Sequence, residues 1–96
     1  MDKKYSQRVH FKNRVAERLG LNINRVDIIN LVASIYKNEN IFESHRISNR
    51  KTVYDMIFKN KRCYIFFDHN RRTPITVYTR EMGIQSILES NNARLC

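Results

Sequence analysis

Three residues spaced four apart, His10, Arg14 and Arg18, lie within the stretch RVHFKNRVAERLG at positions 8–20. On an α-helix they fall within about 80° of one another, so they form one line of side chains. An imidazole gives or takes a proton near neutrality, and a guanidinium fork grips phosphate with two parallel hydrogen bonds. Together the two groups suit cleavage of a phosphodiester. The same spacing also suits a solvated helix face, with Glu17 offsetting part of the charge.

Cleaving RNA without a metal requires a base for the 2′-OH, an acid for the departing 5′-oxygen and fixed cations at the phosphorus centre. The candidate proton carriers are His10, His45 and His69, followed by Tyr54, Tyr64 and Tyr78, since a phenol ordinarily titrates near 10. Arg14, Arg18, Arg46, Arg50 and Lys51 are the candidate phosphate ligands. In the basic cluster SHRISNRKT (44–52), His45, Arg46, Arg50 and Lys51 flank Ser48 and Thr52, whose hydroxyls suit phosphate. A solvated hairpin turn explains this cluster equally well. DHNRRT (68–73) reads more simply as a turn in which Asp68 neutralises a neighbouring arginine.

Other chemistries lack their residues. No Gly-rich phosphate loop, zinc-spaced histidine pair or nucleophile elbow is present, so neither cofactor nor metal is expected. Cys63 sits in an apolar run and reads as a buried thiol, while Cys96 ends the sequence.

These side chains must be positioned by a single domain of 96 residues, spanning 1–96. Hydrophobic residues make up 42%, and two Gly and one Pro interrupt them, which argues for a folded core. Eighteen Lys and Arg oppose nine Asp and Glu, for a net charge of +9. That excess attracts polyanions: nucleic acid first, an anionic surface or acidic protein equally on charge alone. The first residues lack the apolar centre of a secretory signal and no apolar run is long enough to span a bilayer, so a cytoplasmic location is expected.

Helical spacing covers 5–37. A first helix over Tyr5 to Leu19 buries Phe11, Val15 and Leu19 and exits at Gly20. A second starts at an Asn24 cap supported by Asp27, and carries Ile28, Leu31, Val32, Ile35 and Tyr36. Strand patterns follow at 41–48, 51–58, 61–68 and 73–79, joined by short polar turns, within a sheet region 41–80. The tail 81–96 holds a short helix near Gly83 to Ser90. The expected class is α+β, with two helices on one face of a four-stranded antiparallel meander and the other face partly open.

Alternation places Ile75 and Val77 on one side of the last strand, and Thr76, Tyr78 and Arg80 on the open side. In the third strand, Arg62, Tyr64 and Phe66 oppose Cys63, Ile65 and Phe67. Tyr64 and Tyr78 are candidate stacking platforms for unpaired bases, or core; Phe66 reads as core.

The segment VHFKNRVAERLGLNINRVDIINLVASI, followed by an arginine-bearing strand and a β-meander, resembles the ribonuclease superfamily of barnase/EndoU/colicin/RelE type. The resemblance covers about residues 5 to 80. It implies a metal-independent RNA endonuclease of toxin or phage-effector type, with a first-helix acid or base facing basic and hydroxyl groups of the sheet. On that image His10, Arg14, Arg46 and Tyr78 are catalytic. Arg18, His45, Arg50, Lys51, Thr52, Tyr64, Thr76 and Arg80 bind the nucleic acid. The alternative is a non-catalytic basic protein that holds RNA or DNA, or caps a protein partner. An antitoxin partner, and a monomeric or homodimeric state, remain open.

Overall fold

The computed structural model describes residues 3–88. Helix α1 spans Lys3–Leu19, starting slightly earlier than the apolar spacing indicates. Phe11 and Val15 are fully buried on its inner face, and Leu19 packs against the same cluster. Gly20 ends it at φ +68°, a left-handed conformation that L side chains adopt only with strain, and donates its N–H to Ala16 O at 3.2 Å.

Helix α2 spans Arg25–Lys37 and opens with a reciprocal cap. Asp27 N–H donates to Asn24 Oδ1 and Asn24 N–H to Asp27 Oδ2, each at 3.0 Å. The Asn24 backbone donor, then Lys59, hold the Asp27 carboxyl below its ordinary range. Asn38, at φ +57°, closes the helix by donating to Ile35 O. Ile28, Leu31 and Ile35 are buried, whereas Tyr36 is exposed and meets Phe67 in a T-shaped contact, centroids 6.0 Å apart.

The strands are β1 Ile41–Arg46, β2 Lys51–Phe58, β3 Lys61–Asp68 and β4 Thr73–Thr79. They form one antiparallel sheet in the order β1-β2-β3-β4, the expected meander. Strand β1 stops before Ser48 because the N–H groups of Ile47 and Ser48 both turn to Lys51 O and close the hairpin. Lys59 and Asn60, at φ +52° and +66°, make a two-residue turn whose twist matches the strands it joins. A 3₁₀ turn, Arg80–Met82, and a helical turn at 84–88 follow. The remainder of the expected tail helix, and Cys96, lie outside the described residues.

One sheet face presents Met56, Phe58, Cys63, Ile65, Phe67 and Val77 to both helices. The other carries Val53, Tyr64 and Phe66, and here two expectations change. Ile84, Ile87 and Leu88 pack on that surface, so much of it is covered rather than open. Its apolar centre gains from leaving water, at about 25 cal/mol per Å². The register between β3 and β4 also shifts at Phe66/Phe67, and the extra β4 residue turns Ile75 towards the Phe66 side instead of beside Val77.

Candidate nucleic-acid cleft

Helix α1 packs along β4, which among the described residues is an edge strand with no further strand beside its outer backbone groups. Arg18 Nη1 supplies one partner, donating to Val77 O at 2.6 Å. It also approaches Thr76 Oγ1 at 3.5 Å, while its guanidinium carbon stands 4.5 Å over the Tyr78 ring. Phe66 braces Tyr78 at a centroid separation of 5.2 Å. Arg18 thus reaches over the sheet edge to the face away from the helical core. The rest of its line on α1 borders the same space.

A cleft of about 360 Å³ results. His10, Arg14 and Arg18 line it from α1, Lys51 from β2, and Thr76 and Tyr78 from β4. Phe66 and Ile75 complete the lining and were not among the predicted site residues. The register shift explains Ile75: strict alternation directs it to the other face. Lys51 is aligned by Ser48, whose Oγ accepts the N–H groups of Lys51 and Arg50 at 3.2 and 3.4 Å. Arg14 Nη1 meets Glu17 Oε2 at 2.7 Å, the offset anticipated from spacing. As a solvent-exposed pair it contributes about 0–1 kcal/mol, little enough for a phosphate to displace.

The other predicted residues lie elsewhere. Arg46 folds onto its own hairpin, donating to Ser48 O at 3.3 Å and Asn49 Oδ1 at 3.1 Å. His45 Nε2 lies 3.3 Å from Glu43 Oε2. Thr52 is buried, its hydroxyl 2.8 Å from His69 Nε2. Tyr64 is 4% exposed beneath Arg80, whose guanidinium carbon is 5.1 Å from the ring centroid, so it offers no open stacking face. One face of Tyr78 is likewise occupied, by Arg18.

Arg50 and Arg80 are engaged by two buried carboxylates. Asp68 accepts from Arg50 Nη2 at 2.8 Å, from Gln7 Nε2 at 3.3 Å and from the Asn70 and Arg71 backbone. Burial pushes its carboxyl up, but these donors outweigh burial and hold it at about 2. Asp55 accepts from Arg62 at 3.1 and 3.2 Å and from Arg80 at 2.6 Å. There too burial raises the carboxyl and the two guanidiniums bring it below its ordinary range. Asp68 was legible as a turn former, but its complete burial was not. Asp55 had a signal that sequence reasoning passed over: a lone carboxylate inside the apolar strand KTVYDMIF requires a cationic partner.

Comparison of the chain with protein-family models, curated proteins and solved structures found no match.

Proposed function

We propose that the protein is a metal-independent RNA endonuclease whose cleft between α1 and β4 holds the scissile phosphate. The observation that carries this reading is the convergence of His10, Arg14 and Arg18 with Lys51, Thr76 and Tyr78 on one concave space. Three fixed cations there offset the charge gathering on a pentacoordinate phosphorus. His10 exchanges the proton of the 2′-OH or the 5′-oxygen, and the Tyr78 hydroxyl serves the opposite proton transfer. The attacking 2′-oxygen forms its bond to phosphorus as the bond to the 5′-oxygen breaks. The products carry a 2′,3′-cyclic phosphate and a 5′-hydroxyl. Arg18 donates through Nη1 alone in the contacts above, so these bonds do not use Nε and Nη2. The helix-then-meander order of the superfamily that the sequence resembles supports the same reading.

One observation favours the alternative, a non-catalytic RNA-binding protein: among the described residues lining the cleft, His10 is the single imidazole. Labelled RNA incubated with the protein in chelator separates the two. Cyclic-phosphate ends produced by the native protein and lost in His10→Ala and Arg14→Ala support the nuclease. Salt-sensitive RNA retention without products supports the binding protein, and absence of retention overturns both.

A further inference from the structure

On the opposite flank of α1 a second groove, of about 320 Å³, runs between α1 and the start of α2. Its lining combines Tyr5, Val9 and Ile28 with Arg8, Lys12 and Arg25. Tyr5 is 60% and Val9 39% exposed, although both stand beside the core-forming Ile28. Along α1, Tyr5 and Val9 make an apolar row at four-residue spacing, and Arg8 and Lys12 make a cationic row at the same spacing. No carboxylate appears among the described residues that line it. Among the described residues Arg8 Nε, buried there, has no hydrogen-bond partner.

The geometry points to a docking site for an acidic amphipathic helix of a partner protein. Two parallel rows repeating every four residues match a ligand whose apolar and carboxylate side chains repeat with the same period. Val9 and Ile28 add aliphatic surface that the apolar side chains of a helix cover, whereas RNA would engage only the Tyr5 ring and the cations, a difference the oligouridylate arm of the test reads. The groove and the cleft share no lining residue. This site stands independently of the nuclease reading.

The test uses a fluorescein-labelled peptide of about 18 residues, five helical turns. It carries Leu at alternating three- and four-residue steps flanked by Glu; its control has the same composition with the Leu dispersed. Fluorescence anisotropy is expected to show the patterned peptide binding at least about tenfold more tightly than the control. Val9→Glu and Arg25→Glu each weaken it by at least about tenfold, whereas Lys51→Ala does not. If Val9→Glu fails to fold, Lys12→Glu together with Arg25→Glu decides the matter. Equal binding of the two peptides, or displacement by a single-stranded oligouridylate, overturns the proposal. RNA cleavage does not enter this readout, so the two readings fail separately.

Discussion

Arg18 joins α1 to β4: its Nη1 donates to Val77 O at 2.6 Å while the guanidinium lies 4.5 Å over the Tyr78 ring. One side chain therefore satisfies an edge-strand carbonyl, covers an aromatic face and forms a wall of the cleft. Replacing it by Ala is expected to cost about 1–2 kcal/mol in urea unfolding, from the charged hydrogen bond and the cation–π contact. Arg18→Lys recovers less than half of this, because an ammonium lacks the planar face. A stability unchanged within about 0.5 kcal/mol would show that the bridge does not form in solution.

Lys51 and Arg46 sit near one hairpin, and they separate the cleft from general basicity. Lys51 lines the cleft, whereas Arg46 is bonded to Ser48 and Asn49. Under the proposed nuclease function, Lys51→Ala is expected to slow RNA cleavage by about 10- to 100-fold, and Arg46→Ala by less than about threefold. Equal losses in initial-rate measurements would reject the cleft as the reacting site.

Asp68 makes folding stability depend on acid. Its carboxyl is held at about 2 in the folded chain, against about 3.9 for an unperturbed aspartate. The folded value is the lower one, so the stabilisation, about 2 kcal/mol, is complete above roughly pH 4 and is lost as pH falls towards 2. Asp55, also lowered, acts in the same direction. Asp68→Asn is expected to cost about 2–4 kcal/mol at pH 7 and to flatten the decline below pH 4. Urea unfolding from pH 2 to 7 checks this, and a variant with the native acid profile contradicts it.

Cys63 is fully buried, and burial followed by the nearby Asp55 charge pushes its thiol up to about 12. It therefore remains protonated and shielded at pH 8. Peptide mapping after brief iodoacetamide treatment is expected to find Cys63 unmodified in the native protein and alkylated in urea. Rapid native alkylation would mean that the sheet opens at β3.

Gly20 tests the helix exit. A Cβ at this position meets nothing within 4 Å, so substitution changes only the backbone energetics at φ +68°. Gly20→Ala is expected to destabilise by about 1 kcal/mol, and Gly20→Asn by less, since Asn tolerates the left-handed region. Thermal unfolding of both variants gives the ranking, and Ala equal to Gly would show that the turn relaxes.

Much of the architecture is written locally, in particular residues. Four-residue spacing of Phe11, Val15 and Leu19, the Asn24/Asp27 cap and the alternation in β2 and β3 each depend on neighbours within one or two turns. The same local rule drew His10, Arg14 and Arg18 into one line, so the helix side of the cleft was legible before any contact was known. Lys51, Thr76 and Tyr78 were candidates too, but so were Arg46, Arg50 and Arg80, and charge alone does not separate them.

Only tertiary structure made that separation. Asp68 and Asp55, once buried, had to be neutralised, and they took Arg50 and Arg80, leaving Lys51 beside the α1 line. A register shift of one residue at Phe66/Phe67 turned Ile75 into the lining, and Ile84, Ile87 and Leu88 covered Tyr64. The residue pattern by itself determined the elements and the order in which they pair, because helix and strand periods are short-range. Which cations line the cleft was decided by burial of carboxylates far apart in the chain, an energy that exists only after the sheet and helices have closed around them.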